Sequence, residues 1–425
     1  MTVRCSLLVV VVIVLVSAGS SVGAEELGFP KSCIELEKMP SNIGFNVISQ
    51  RDSVQFSILL VNSRGKNFTP QSFMAWDLET GKWLAKRPAP DVAAHHWEFS
   101  PDGKLLAVPT FDKGNVIQLW EVGSKDLQGV PQLRLTAKLR HQIVLRDEQL
   151  CPADLRWTPD SKTLVVRWWF QGNPKPYHIL FWSFTDKPSV WADLKQDERE
   201  PKSWKAWAKL EFDNDVRFAV APDNRTLAVI QGRRERSNDG FHRERLIDGQ
   251  FFDPHTAQLR ETFKIDRLCK EYGTIHQPVF SPDSKTLAIF REEYFALWDT
   301  DPPAPRVETA RPDFFKDWAT CKRFVFTPDS RSLLTTTIAQ REDSRHLTGG
   351  MLQVRDAQSG KVQREAGFPE KLGLLWSIDA LPDGRVRTTF LSRSRKDSQV
   401  TNHREFLWHA DDLLRYAAEH GSPPL

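Results

Sequence analysis

Short apolar runs alternate along this chain with polar turns, and one turn keeps coming back. It reads Phe99-Ser100-Pro101-Asp102-Gly103 before KLLAV, and Trp157-Thr158-Pro159-Asp160-Ser161 before KTLVV. It returns as Val220-Ala221-Pro222-Asp223-Asn224 before RTLAVI, and as Phe280-Ser281-Pro282-Asp283-Ser284 before KTLAIF. The last two copies are Phe326-Thr327-Pro328-Asp329-Ser330 before RSLLTTT and Leu381-Pro382-Asp383-Gly384 before RVRTTF. Ser or Thr followed by Pro suits a type I turn, because the ring of Pro holds φ near the value the turn needs. Asp can bond its own backbone, and Gly, Asn or Ser then releases the chain into the next strand. An apolar strand before the turn and a β-branched one after it make a hairpin. Isolated hairpins are marginal, so a recurring hairpin implies stacking or a closed ring.

A second pattern follows each turn: a strand ending in an aromatic and often an acidic residue. The copies are Trp120-Glu121, Trp182-Ser183, Phe252-Asp253, Trp298-Asp299, Arg355-Asp356 and Trp408-His409. An earlier copy, Trp76-Asp77-Leu78-Glu79-Thr80-Gly81, has only Ser49-Gln50-Arg51-Asp52 at the place of its turn. Counting that as a degenerate first copy brings the total to seven.

These paired motifs resemble the WD-repeat propeller family over roughly residues 30 to 410. The resemblance implies an all-β fold: a single seven-bladed β-propeller with N-to-C strand closure and a short C-terminal helix. The closing strand is expected in Cys33–Met39, and the helix in Asp411–His420, capped by Gly421. It also implies a structural network in the second blade, with Thr110, Asp112 and Trp120 as members and His95 or His96 as the fourth. Six steps from Trp76 to Trp408 average about 55 residues, against about 40–45 for such repeats. The excess is expected in loops: 231–248, 338–349 and 391–404 inside blades, and 196–214, carrying Trp204 and Trp207, between two blades. Both connection types are expected on one rim.

The N-terminus reads as an address. Arg4 precedes a ten-residue apolar run, Leu7–Val16, and small residues lead to Val22-Gly23-Ala24. About 20 residues are needed to span a bilayer as a helix, so a signal peptide over 1–24 is expected, with the propeller over 25–410 and a helical tail over 411–425. A retained anchor is the alternative. Export places the protein in the periplasm or outside the cell. There Cys33, Cys151, Cys269 and Cys321 can form disulfides in three ways or stay as buried thiols. With 58 basic and 55 acidic residues the chain is nearly neutral, which does not suit nucleic acid. No other segment is apolar enough for a stable membrane span, and a monomeric propeller is expected.

No motif for a nucleophile elbow, a zinc protease, a phosphate loop or a dinucleotide cofactor is present, so no catalytic residue, metal or cofactor is assigned. The rim candidates for binding are Trp204, Trp207, Arg233, Arg234, Arg236, Arg243 and Arg245. Arginines could clamp carboxylate or phosphate; interleaved Glu235, Asp239, Glu244 and Asp248 allow a merely solvated loop. The expected function is non-catalytic binding of a protein or exported macromolecule. The alternative is a propeller hydrolase or lyase at the mouth of the central channel, which converging carboxylates and histidines there would favour.

Overall fold

A computed structural model describes residues 29–36, 48–51, 54–63, 66–88, 98–110, 116–125, 131–140, 150–170, 177–184, 206–236, 242–269, 277–291, 294–310, 320–340, 347–369, 372–381, 383–393 and 400–422. A short strand, β1 (Ile34–Glu35), comes first. The first sheet holds β2 (Ile48–Arg51), β3 (Val54–Ser63), β4 (Lys66–Asp77) and β5 (Trp83–Pro88). The second holds β6 (Glu98–Phe99), β7 (Leu105–Thr110), β8 (Val116–Lys125) and β9 (Pro131–Arg140). The third is β10 (Leu150–Trp157), β11 (Thr163–Phe170), β12 (Tyr177–Ser183) and β13 (Ala208–Phe212). The fourth is β14 (Asp215–Val220), β15 (Leu227–Arg236), β16 (His242–Phe252) and β17 (Leu259–Cys269). The fifth is β18 (Val279–Phe280), β19 (Thr286–Arg291), β20 (Tyr294–Thr300) and β21 (Pro303–Ala310). The sixth begins with β22 (Thr320–Phe326), β23 (Ser332–Gln340), β24 (Leu347–Asp356) and β25 (Val362–Gly367). Then come β26 (Leu374–Ala380), β27 (Arg385–Arg393) and β28 (Val400–His409), helix α1 (Ala410–His420) and β29 (Gly421–Ser422).

This corrects the expectation of seven blades: six four-stranded blades are found, not seven. The sixth sheet has five strands in the order β22-β23-β24-β25-β29. The cause lies at the C-terminus. Helix α1 packs on β24, β25 and β28, and so delivers Gly421 and Ser422 to the outer edge of β25, where they pair with Ala366 and Glu365. Gly421 therefore continues as strand and does not merely cap the helix.

The sheets are antiparallel meanders packed face to face into an all-β propeller. Apolar clusters lie between neighbours: Trp157 and Trp182 between second and third, Phe181 and Phe218 between third and fourth, Phe251 and Trp298 between fourth and fifth, Phe290 and Phe326 between fifth and sixth. A larger cluster of Phe390, Phe406, Trp408 and Tyr416 joins the sixth sheet to β26–β28 and α1, and Trp76, Leu78 and Leu407 join β28 to the first sheet. Apart from the half-buried Trp120, the third-strand aromatics are thus core. Each is worth about 1.5–3 kcal/mol of burial or more. In the sixth sheet Arg355 stands at that position: its guanidinium lies 5.4 Å from the Phe295 ring and donates to Gly360 O and Gln353 Oε1.

Strand β1 is the outer strand of the closing sheet, pairing Ile34 with Leu407 and Glu35 with Phe406. Arg404 grips Glu35 through Nε and Nη2 at 2.6 and 2.7 Å, and Phe29 inserts among Phe406, Trp408 and Tyr416. Cys33 is a buried free thiol, pushed far up in pKa by burial and by Glu35 and Asp412. The other three cysteines have side chains outside the described residues, as does the whole of 1–24.

Each Pro-Asp turn is tied as the motif predicts, and then more. The Ser100 hydroxyl donates to Asp102 Oδ1 at 2.6 Å and accepts the Leu105 amide at 2.9 Å, while the Lys104 amide donates to Asp102 Oδ1. Thr158, Ser281 and Thr327 repeat this. The residue after Asp is left-handed in all six turns, with φ of +68° at Gly103, +62° at Ser161, +64° at Asn224, +61° at Ser284, +62° at Ser330 and +82° at Gly384. A side chain there costs about 1–2 kcal/mol. The return is a bond to the preceding sheet: Ser161 Oγ accepts the Asp102 amide at 2.9 Å, Ser284 Oγ that of Asp223 at 2.9 Å, and Ser330 Oγ that of Asp283 at 3.0 Å. The Asn224 side chain bonds Asp160. A hydrogen bond of about 0.5–1.5 kcal/mol roughly offsets the strain. These residues therefore do not simply release the chain; they latch the second to sixth sheets in series.

Candidate functional site

The meander puts the latched first-to-second-strand turns at one end of every sheet, together with the third-to-fourth-strand turns. The latter are Asx-capped: Asp77, Asp253 and Asp356 accept amides of their own turns through Oδ1. The second-to-third-strand connections leave from the opposite end.

At that opposite end the sheets fall into two kinds. In the second, third and fifth, the second and third strands pair over six residues without interruption, from Leu105 to Thr110, Thr163 to Trp168 and Thr286 to Arg291. In the first, fourth, sixth and closing sheets the same pairing runs to Ser63, Arg236, Gln340 and Arg393, and each time the register slips on the way. The slips lie between Leu59 and Leu60, Gln231 and Gly232, Ile338 and Ala339, and Ser392 and Arg393. Extension and bulge go together. A bulge bends the strand and increases its twist, so each long hairpin is re-aimed relative to its sheet. The described residues of the expected loops at 231–248, 338–349 and 391–404 are thus strand.

The five candidate arginines lie on one such hairpin. Arg233 pairs in register with Arg245, Arg234 with Glu244, and Glu235 with Arg243, and Arg236 stands opposite His242. The tryptophans do not join them. Trp207 directly precedes β13, the outer strand of the third sheet, so the described part of the 196–214 segment, from residue 206 on, supplies a strand of that sheet and is not merely a connection between two blades. It donates its amide to Phe181 O at 2.9 Å, its ring lies 5.4 Å from that of Phe181, and it stays 40% exposed. This is the latched end, where Thr163 pairs with Ser183. The expectation of a shared rim is therefore wrong: third-to-fourth-strand and second-to-third-strand connections leave an antiparallel meander at opposite ends. Trp204 lies outside the described residues.

Of the expected network, His95, His96 and Asp112 lie outside the described residues, and Thr110 ends β7. The Trp120 indole donates to Gln118 Oε1 at 3.1 Å. The Trp-to-hydroxyl link occurs instead in the closing sheet, where Trp408 Nε1 donates to Thr388 Oγ1 at 2.8 Å.

The first strands of successive sheets pack on one another and form the inner wall. There the sequence reading missed a charged chain. Arg156 Nη1 lies 3.5 Å from Glu98 Oε2 and donates to Leu155 O, and Nη2 reaches Gln277 Oε1 two sheets further on. Gln277 Nε2 in turn donates to Phe218 O at 3.2 Å. Behind it Arg167 joins Asp154 at 2.6 Å to Asp215 at 3.0 Å, and Arg217 bonds Asp215 at 2.7 Å. Burial pushes the Glu98 carboxyl up to about 7 against the opposing pull of Arg156. Glu98 and Arg156 stand two places before their turns, and Asp154, Arg217 and Gln277 four, a signal that was readable once the turns were aligned. Among the described residues no group of His, Cys, Asp and Glu is arranged to hold a metal ion, and no helix is long and apolar enough to cross a membrane.

No protein-family model matches this chain, and no curated protein matches it significantly. The fold and the geometry of its two ends carry the reading of function. A β-propeller fits a scaffold or binding role in general.

Proposed function

We propose that this chain is an exported, non-catalytic binding propeller of the WD-repeat kind, which engages a protein or other exported macromolecule through the end that bears the bent hairpins. The observation that carries this is the coincidence of extension with bulge in four sheets and of neither in the other three. Ordering extra residues costs about 1–2 kcal/mol each, and packing within the sheets does not require them. Replacing 231–248 by a short Asn-Gly turn should leave the fold intact and abolish at least one partner in a pull-down from envelope extract. Retention of every partner would remove the reading. Export is tested separately: mature protein should begin near Glu25 and fractionate as soluble, whereas an intact Met1 terminus in the membrane fraction would establish an anchor.

One observation favours the second reading, a hydrolase or lyase at the channel mouth. Glu98, with a carboxyl at about 7, has the acidity expected of a general acid or base. Against it, Asp154 and Asp215 are each held by arginine and do not converge on Glu98 with a histidine. Turnover of any ester, amide or glycoside in a chromogenic panel that disappears in Glu98→Gln would establish this reading over the first.

A further inference from the structure

Resting on the reading that the hairpin end binds, we propose that its partner is an acidic protein face, gripped by the arginine-rich hairpin of β15 and β16. The charge lies beyond the bulges. Past those points, the described strand residues of the four long hairpins include seven basic ones: Arg233, Arg234, Arg236, Arg243 and Arg245 on the fourth sheet, Lys66 on the first and Arg393 on the closing sheet. Among those described strand residues, only Glu235 and Glu244 oppose them. That is a surplus of five positive charges on a chain whose whole formal charge is +3, so everything else is net negative. The surplus sits where the sheets have been extended and re-aimed.

The register sharpens this. Residues directly opposite share a face, and alternate residues return to it. Arg233, Arg245, Glu235 and Arg243 therefore lie on one face of the hairpin with two net positive charges, and Arg233 stands directly opposite Arg245. Like charges opposite one another destabilise a strand pair. A solvated hairpin gains nothing from that arrangement, whereas a carboxylate placed between the two would relieve it. Six of the seven basic residues are arginine, whose planar fork matches a carboxylate bidentately. Separate hairpins standing around one end fit the face of a folded partner better than a polymer running along a groove.

The test uses the whole chain on immobilised poly-L-glutamate, with dextran sulfate of similar charge density in parallel. We expect salt-sensitive retention on polyglutamate, and we expect it to weaken about ten-fold in the Arg233→Ser, Arg243→Ser, Arg245→Ser triple variant. A triple variant of the latched end, Lys104→Ser, Lys285→Ser, Lys361→Ser, should behave as the parent. Equal loss in both triples, no loss in the arginine triple with its melting temperature unchanged, or stronger retention on dextran sulfate would each overturn the proposal. The hairpin replacement separates the two readings. If it loses envelope partners that the arginine triple keeps, the charge assignment falls and the binding end stands; if it keeps them all, both fall.

Discussion

The latched end and the hairpin end are made from the same strands, yet they obey different rules. At the latched end six turns repeat Pro, Asp and a left-handed residue, and in the third to sixth sheets the side chain of that residue bonds the sheet before it. At the hairpin end no two long connections share a sequence, and four of the sheets slip register to carry them. The difference teaches where each kind of constraint operates. Packing neighbouring sheets at one recurring angle favours one recurring junction, so the latched junctions repeat. Meeting a partner needs one surface unlike the rest, so the repeat is abandoned there.

The comparison is best broken first where both ends share support. Deleting residues 25 to 40 removes β1, the Glu35–Arg404 pair and Phe29 from its aromatic nest. The loss should be about 5 kcal/mol or more, with both ends unfolding together in a thermal melt. An unchanged melting temperature would show that the closing sheet needs no outer strand.

The latches come next. Ser284→Ala loses the bond to the Asp223 amide and leaves a side chain at φ +61°, for a loss of about 1–2 kcal/mol by chemical denaturation. Ser284→Gly loses the same bond but no longer bears the strain, and should cost less. If alanine and glycine are equivalent, the strain and the latch are not balanced as argued.

A smaller effect separates the turns from the inner wall by pH. Glu98 in the fold titrates near 7, above its ordinary 4.5, so its contribution to stability is full below about 4.5 and is lost as pH rises through about 7. Glu98→Gln should flatten stability over that window. The turn aspartates act in the opposite sense. Burial raises Asp160, Asp283 and Asp329, but bonds from Thr158, Ser281, Thr327 and their own turn amides outweigh it, so all three sit below the ordinary range. Their contribution is present above the unfolded value and is lost as pH falls through the folded one. Stability against pH in Asp283→Asn shows whether the acid limb flattens as that sign requires.

The smallest change in stability is expected from shortening 231–248. The hairpin lies beyond the slip at Gln231 and Gly232, outside the six-residue pairing common to the other sheets. Its melting temperature should move by only a few degrees. A collapse of the fold would mean that the hairpin is structural.

The latched end was legible in the sequence because its chemistry is local: Ser100 to Leu105 is a complete unit. The latch itself was not, since Ser161 answers to Asp102, and nothing within either turn announces that bond. The position of Trp207 was misjudged for a similar reason. A long stretch follows Ser183, and pattern alone assigns Ala208–Phe212 equally to an outer strand or to the way into the next blade; the pairing of Phe181 with Ala208 decides it. The blade count failed at β29, because Gly421 and Ser422 carry no strand signal and acquire one only through the placement of α1. The inner-wall chain of Glu98, Arg156 and Gln277 joins residues from three sheets, and no single repeat contains it.

The series of latches also says something about exchange. The turns at Ser161, Ser284 and Ser330 present the same hydroxyl acceptor backwards, to the amides of Asp102, Asp223 and Asp283, so a unit bounded by two such joins could be duplicated, removed or swapped without rewriting its neighbours. Gly103 and Gly384 end the series and lack the side chain that such a join requires. The interchangeable stretch of this ring is therefore bounded, and the units that carry its ends are the ones that cannot be copied freely.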